Sequence, residues 1–145
     1  MKIRGVAYYP EAWPRERWDE DIALMRAAGI NLVRMGEFAW ARFEPGEDRY
    51  DLGWWTDICD RMRRAEIQVL ACTPSAAPPA WLTSRHPEVL AVAADGSRPP
   101  HGIRRHYCPN APHYRERAAK VNRRIADAVR GNPAVIAWQI DNEIA

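Results

Sequence analysis

The stretch Ala134-Val135-Ile136-Ala137-Trp138-Gln139-Ile140-Asp141-Asn142-Glu143 joins an apolar run to a polar, acidic end. The apolar residues at 134–138 predict a buried strand. This strand delivers an Asn-Glu pair at its C-terminal end. The elements that precede the strand decide which kind of sheet it joins, and therefore where the pair lies.

Three earlier stretches also have the character of strands: residues 3–8, 30–35 and 67–72. Between the strands, apolar residues recur every three or four positions, which is the spacing of one face of a helix. The three stripes are Trp18, Ile22, Met25 and Ala28; Trp55, Ile58, Cys59 and Met62; and Ala118, Val121, Ile125 and Ala128 or Val129. The predicted order is therefore β-α-β-α-β-α-β.

Local signals mark where these helices begin and end. Pro14 suits the first position of the first helix, and Gly29 is placed to end it. The second helix ends near Ala65. Asn110 is expected to cap the third helix, which Gly131 stops.

Two stretches are predicted to be loops. Residues 43–46 contain a Pro-Gly turn signal. Residues 73–109 hold seven of the twelve prolines, and their fixed φ angles and missing N–H groups exclude regular structure over most of this stretch. Loops of this length inside compact domains are usually functional.

Alternation of strands and helices favours a parallel sheet in an α/β fold. Right-handed crossovers would place the C-terminal ends of all four strands at one edge. In a (β/α) barrel that edge carries catalysis, so a carboxylate there is typical of a catalytic group. A doubly wound sheet is the competing architecture, but the first strand-to-helix turn, residues 9–14, has no Gly-rich phosphate cradle.

Composition narrows the possible partners. A net charge of +2, with charges of both signs interspersed, gives no reason to expect a nucleic acid or an anionic membrane. The sequence shows neither an apolar signal core nor a span near 20 apolar residues, which predicts a soluble, cytoplasmic protein. Three cysteines do not make a disulfide framework, and a reducing compartment fits.

Five segments carry a resemblance to a known family. They are GVAYYPEAW at 5–13, RMGEFAW at 34–40, TPSAAPPAWL at 73–82, GIRRHYC at 102–108 and WQIDNE at 138–143. Together, in this order and spacing, they resemble glycoside hydrolase family 42, the β-galactosidases with a catalytic barrel. The resemblance implies retaining hydrolysis of terminal β-D-galactosides by two glutamates, with no cofactor required for the chemistry. It also implies that residues 1–145 are part of a catalytic barrel domain.

A full TIM (β/α)₈ barrel needs about 250 residues and eight strands. Four predicted strands amount to its first half, β1-α1-β2-α2-β3-α3-β4. The resemblance puts the second catalytic glutamate, the nucleophile, on a later strand. We therefore expect a fragment that carries only the acid/base and is inactive alone, because double displacement needs both carboxylates. The full-length protein is expected to be a homo-oligomer, as trimers are frequent in the family.

The resemblance also assigns roles to single residues. Glu143 would be the general acid/base, which first protonates the departing glycosidic oxygen and then deprotonates water. Asn142 would bind the sugar 2-hydroxyl, and Arg104 would contact the galactose and the catalytic carboxylates. From spacing alone, Glu143 could equally be a solvated strand-end glutamate and Asn142 a turn cap. Arg105 is the neighbour that could be mistaken for Arg104.

Other residues receive supporting or structural interpretations. Arg34, at the end of the second strand, would support the site by holding a carboxylate ionised. Glu37 is either a sugar ligand or the partner of Arg34, and its pairing with Glu143 as nucleophile is rejected. Cys108 resembles a cysteine that joins a structural zinc site in some family members, but its partner cysteines are not in this sequence, which favours a free thiol.

Further residues are assigned to packing or to solvent. Cys59 and Cys72 are most simply buried apolar residues. Tyr8, Tyr9, Trp13 and Trp81 could line a sugar pocket, although each is individually more typical of packing. His86 and His113 are expected to be solvated at loops or helix starts, and the spacing of His101 and His106 is not a zinc pattern.

Two alternatives remain open at this stage. Cellulases and mannanases also carry an Asn-Glu strand end, although the contexts of Trp40 and Arg104 favour a galactosidase. A non-catalytic half-barrel or sugar-binding fragment is the other alternative. Such a half-barrel would expose two open strand edges and an unclosed apolar interior.

Overall fold

Residues 2–103 and 105–143, which the computed structural model describes, form a four-stranded sheet. Its strands are β1 (Gly5–Ala7), β2 (Leu32–Met35), β3 (Gln68–Cys72) and β4 (Val135–Gln139). They lie in chain order and every neighbouring pair is parallel. The predicted parallel sheet is confirmed, and all four strands end at the same edge.

The helices of the described chain are α1 (Trp18–Ala27), α2 (Trp40–Phe43), α3 (Gly53–Arg64), α4 (Ala80–Arg85) and α5 (Pro112–Ala128). The helices α1, α3 and α5 are the three that the apolar stripes predict, and each connects two successive strands. None of these helices is long and apolar enough to cross a membrane.

Two predicted helix starts are wrong. Pro14 precedes a 3₁₀ turn at Arg15–Arg17, and α1 begins only at Trp18. Asn110 does not cap α5, because the capping position is Ala111, with no side-chain cap. Pro112 starts α5, since its fixed φ is already that of a helix and its missing N–H is no loss at the first position.

The proline-rich stretch is more regular than predicted. It holds 3₁₀ turns at Pro74–Ala76 and Pro87–Val89 and the helix α4, which lies in the proline-free interval between Pro79 and Pro87. The short helix α2 likewise extends to Phe43, where a loop was predicted to begin. Both helices are short, and the sequence signal for a helix grows with its length.

The core lies between the helices and one face of the sheet. Alternate side chains of β2 and β3, namely Val33, Met35, Val69 and Ala71, are fully buried. They pack with Trp55, Ile58 and Met62 of α3. The alternation places Arg34 and Leu70 on the opposite face, which in a barrel would be the interior.

The two edge strands are less buried than the sequence predicts. Ile136 of β4 is 50% exposed, and all three residues of β1 are exposed. Within the described chain each of these strands pairs on one side only. β4 also carries a register shift, since Val69 pairs with Val135 but Leu70 pairs with Ala137, which leaves Ile136 as an extra residue.

We expect the substitution Leu82→Ala in α4 to lower the free energy of unfolding by about 2–4 kcal/mol, because Leu82 is fully buried. Leu24→Ala in α1 is the matched control. Leu24 is 57% exposed, so Leu24→Ala should change the free energy of unfolding by less than about 0.5 kcal/mol. Urea unfolding of both variants measures the difference, and equal effects would show that α4 is not packed as described.

Candidate active site

The C-terminal edge of the sheet is extended by backbone bonds beyond the strands themselves. The Tyr8 N–H donates to the Arg34 carbonyl at 2.9 Å, and the Thr73 N–H donates to the Gln139 carbonyl at 3.0 Å. These bonds tie the segment after β1 to the end of β2 and the segment after β3 to the end of β4. The segment after β4 is the one that carries Asn142 and Glu143.

Glu37 lies at the centre of this edge. Its side chain is nearly fully buried, and both of its oxygens are bound. Oε1 accepts hydrogen bonds from Arg34 Nη1 at 2.8 Å and from Gln139 Nε2 at 3.0 Å. Oε2 accepts one from the Tyr9 hydroxyl at 3.1 Å. Three strand ends therefore meet at one buried carboxylate, which is the partner of Arg34.

An opposite charge and neutral hydrogen-bond donors surround the Glu37 carboxylate. Arg34 supplies the opposite charge directly, and its Nη1 also donates to Gln139 Oε1 at 3.0 Å. Burial raises the pKa of the Tyr9 phenol above its usual value, and the hydrogen bond to Glu37 adds to this effect. Tyr9 therefore stays protonated and acts as a donor, so the carboxylate accepts a bond from each of three donors.

Gln139 connects this cluster to the Asn-Glu segment. Besides its bonds to Arg34 and Glu37, its Nε2 donates to the Asp141 carbonyl at 2.9 Å and lies 3.5 Å from Asn142 Oδ1. The sequence assigns no role to Gln139, although it stands in the quoted Trp-Gln-Ile-Asp-Asn-Glu segment. Its position on the same face as Arg34 depends on the register shift in β4, which the continuous apolar run at 134–138 does not reveal.

The turn after β4 has an uncommon backbone. Asp141 and Glu143 have φ angles of 58° and 50°, in the left-handed region that non-glycine residues seldom adopt. Hydrogen bonds hold the turn: the Asp141 N–H donates to Thr73 Oγ1 at 2.7 Å, and the Asn142 N–H donates to Asp141 Oδ1 at 2.8 Å. Residues held in such conformations cluster at active sites.

A pair of stacked tyrosines supports the same turn. The Tyr107 hydroxyl lies 3.3 and 3.4 Å from the two carboxylate oxygens of Asp141. Its ring stacks on that of Tyr114 in α5, with centroids 4.4 Å apart. Tyr114 in turn donates to the Ser75 carbonyl at 3.0 Å. The long loop and α5 are thus tied to the end of β4.

The predicted site residues are brought together only in part. Arg34 and Asn142 are linked through Gln139, and Glu143 is exposed at the end of the same turn. Arg104 lies outside the described residues. Arg105, the neighbour of Arg104, donates through Nη1 to the Asn142 carbonyl at 2.9 Å and also to the Glu143 carbonyl. Arg105 therefore holds the backbone of the Asn-Glu pair.

An apolar pocket of about 390 Å³ adjoins this edge, lined by Phe38, residues 76–78, His101, Ile103 and His106, among others. Phe38 stacks on Tyr9, with ring centroids 6.2 Å apart and planes at 15°. Since Tyr9 binds Glu37, Phe38 links one wall of the pocket to the carboxylate cluster. Flat aromatic and apolar walls of this kind suit the C–H faces of a sugar ring.

The other aromatic candidates have structural contacts. The Tyr8 hydroxyl donates to Asp21 at 3.0 Å, and Trp81 Nε1 donates to the Glu44 carbonyl at 2.9 Å. The guanidinium group of Arg17 lies over the ring of Trp13, 4.9 Å from its centroid. Among these candidates, Tyr9 is the one with a bond to the Glu37 cluster.

The described cysteines are all free thiols, and Cys59 and Cys72 are buried as predicted. Burial raises the pKa of the Cys59 thiol to about 12 and that of Cys72 to about 11. Cys108 is half-buried, and no group of three ligands that includes it forms among the described residues. This part of the chain therefore does not fit a tetrahedral zinc site at Cys108.

Comparison with known proteins places this geometry in a family. The model of the glycoside hydrolase 42 family, described as beta-galactosidase, matches residues 7–145. The chain is 45% identical over 139 residues to beta-galactosidase YesZ of Bacillus licheniformis, covering 96% of this chain and 21% of that protein. It is 46% identical to a beta-galactosidase of Thermus thermophilus, covering 96% of this chain and 22% of that protein.

Solved structures agree. A beta-galactosidase from the haloarchaeon Halorubrum lacusprofundi matches with a TM-score of 0.93 and 39% identity, covering 99% of this chain and 21% of that one. That of Rahnella sp. R3 matches with a TM-score of 0.95 and 35% identity, over 99% and 21%. The chain spans about a fifth of the length of these relatives. The predicted fold, the first half of a TIM barrel, is confirmed.

We expect Glu37→Gln to lower the free energy of unfolding by about 1–3 kcal/mol, because Arg34 would keep its charge without a buried counter-charge. Glu66→Gln is the matched control, since the Glu66 side chain is 82% exposed in its pair with Arg26 and should change stability by less than about 0.5 kcal/mol. Chemical denaturation measures both. Equal losses would contradict the central role of Glu37.

We expect a thiol-reactive disulfide reagent to modify Cys108 in the native protein and to spare Cys59 and Cys72. Both of the latter are buried and their thiols are held protonated, whereas the thiolate is the reactive form. Denaturant should expose all three. The variant Cys108→Ser should lose the native reaction, and continued native labelling of that variant would contradict the burial of the other two.

Proposed function

Because the chain belongs to glycoside hydrolase family 42, we propose that it is the N-terminal part of the catalytic barrel of a β-galactosidase. The enzyme would hydrolyse terminal β-D-galactosides with retention of configuration. The observation that carries the proposal is the position of Asn142 and Glu143, at the C-terminal end of β4 and directly beside the buried Glu37 cluster. Catalytic side chains at this edge of the strands are what a barrel enzyme requires.

Each residue at this edge has a part in the proposed reaction. Glu143 donates its proton to the glycosidic oxygen as the bond to the leaving group breaks, and later takes a proton from the attacking water. Asn142 binds the sugar 2-hydroxyl, a contact that strengthens in the oxocarbenium-like transition state. Arg104 binds the galactose, and Arg34 supports the site through its ion pair with Glu37.

We assign the nucleophile to a strand other than these four. Double displacement needs a second carboxylate that can reach the anomeric carbon. The Glu37 oxygens are occupied by Arg34, Gln139 and Tyr9, which suits a positioning residue and not an attacking one. The turn around Asn142 depends on this cluster through Gln139, so Glu37 acts on the sugar site indirectly.

The remaining features of the proposed enzyme follow from the same family. The substrate is a β-galactoside, and the pocket beside Phe38 offers it an apolar wall. Three free thiols support a cytoplasmic location. A homo-oligomeric state, such as a trimer, and a structural zinc completed by later cysteines stay predictions for the full-length protein.

The test uses the protein with its complete barrel and pairs of nitrophenyl glycosides. We expect β-galactosides to be hydrolysed in preference to β-glucosides. Glu143→Gln should lower kcat/KM, which reports the step that expels the leaving group, by about 10²–10⁴-fold, with a smaller loss for dinitrophenyl galactoside, whose leaving group needs no proton. Glu66→Gln is the control, because Glu66 precedes β3 at the opposite edge and should leave kcat/KM unchanged.

Two results would contradict the proposal. A preference for β-glucosides would point to a cellulase-type specificity, and an equal loss of kcat/KM on both leaving groups would deny Glu143 its role as proton donor. A further expectation concerns residues 1–145 alone. A pure preparation should show no turnover, and detectable hydrolysis would contradict the assignment of the nucleophile to another strand.

A further inference from the structure

Two histidines and a glutamate lie together outside the site described above. His86 follows α4, Glu88 lies in the 3₁₀ turn Pro87–Val89, and His113 is the second residue of α5. The Nδ1 atoms of both histidines approach the same oxygen, Glu88 Oε1, at 3.3 Å from His86 and 2.8 Å from His113. The three potential ligand atoms lie within 4.8 Å of one another.

The donor set is that of a transition-metal site. Two imidazole nitrogens and one carboxylate oxygen are ligands that Zn²⁺ and similar divalent ions accept, with bond lengths of about 2.0–2.2 Å. Ligand atoms on a tetrahedron of that size are about 3.3 Å apart. The two pairs that involve Glu88 Oε1 are already near this separation, so small side-chain rotations suffice to admit an ion.

The two rings are also oriented in a way that suits a shared ion. They stack with centroids 4.3 Å apart and planes at 27°, and both Nδ1 atoms face the same carboxylate oxygen, Glu88 Oε1. Glu88 and His113 are exposed and His86 is half-buried. An ion bound here would be reached from solvent and could keep a water molecule in its fourth position.

We propose that His86, Glu88 and His113 form a binding site for a divalent transition-metal ion of the zinc class. This site is separate from Cys108 and from the carboxylate cluster at the strand ends. It does not depend on the proposed hydrolase activity, because its ligands have no part in that chemistry.

The position of the site indicates what a bound ion would do. The ion would join the long loop to the first turn of α5. The turn that carries Glu88 is bonded to the segment before α5: the Cys108 N–H donates to the Val89 carbonyl at 2.7 Å, and Leu90 pairs with Tyr107. Tyr107 reaches Asp141 beside the Asn-Glu pair. The ion would therefore stabilise the support of the candidate active site.

Calorimetric titration of the full chain with ZnCl₂ tests the proposal, in a Cys108→Ser background that removes the half-buried thiol of Cys108. We expect this parent protein to bind zinc at His86, Glu88 and His113, and zinc to raise its melting temperature, because an ion that binds the folded state stabilises it. His113→Ala and Glu88→Gln should each weaken zinc binding by at least about tenfold. His101→Ala is the matched control and should bind like the parent.

The outcomes separate the site from adventitious binding. The proposal would be overturned if the double variant His86→Ala/His113→Ala bound zinc as tightly as the parent. It would also be overturned if zinc gave neither a heat of binding nor a rise in melting temperature in the parent. Glu88→Gln guards against a folding defect, because the amide keeps the size of the side chain and an acceptor for the histidines. If the melting temperature of metal-free Glu88→Gln equals that of the parent, its weaker zinc binding results from the loss of a metal ligand and not from a folding defect.

Discussion

The buried carboxylate of Glu37 is the constraint on which the candidate site depends. A charge removed from water must find an opposite charge and donors, and here these come from the ends of three different strands: Tyr9, Arg34 and Gln139. The requirement therefore fixes the strand ends relative to each other. Gln139, which binds Glu37, also contacts the turn that carries Asn142. The position of the Asn-Glu pair therefore depends on Glu37, a residue that does not react.

A second layer of support lies outside the sheet. Glu44 is fully buried and is bound by Arg117 of α5 and by Trp40 Nε1, the latter at 2.9 Å. Together with the Tyr107–Tyr114 stack, this pair fastens α5 to the segments that follow β2 and β3. The long loop at residues 73–109 needs such side-chain contacts to stay ordered, because most of it lacks the repeated hydrogen bonds of a helix or sheet.

The parts of the structure that the sequence predicts are those governed by short-range periodicity. The stripes of α1, α3 and α5 and the parallel order of the strands could be read directly, because apolar spacing and chain order determine them. Contacts between distant residues could not be read. Gln139 binds Glu37 across 102 positions, and the role of Arg105 at the Asn-Glu backbone depends on a loop path that spacing does not encode. The exposure of β4 follows from its position at the edge of the described sheet. Its apolar composition predicts a buried strand and does not indicate this position.

The extra residue in β4 has an effect on how this edge could evolve. Since side chains alternate between faces, the shift at Ile136 is what places Gln139 opposite Cys72 and on the same face as Arg34. Insertion of a single codon within 135–137, with the shift kept at one residue, would bring Trp138 into that place and turn the glutamine toward the helices. A lineage that kept every polar residue at the strand ends could still abolish the site through that one insertion, whereas many substitutions along the same strand would leave the arrangement of its faces intact.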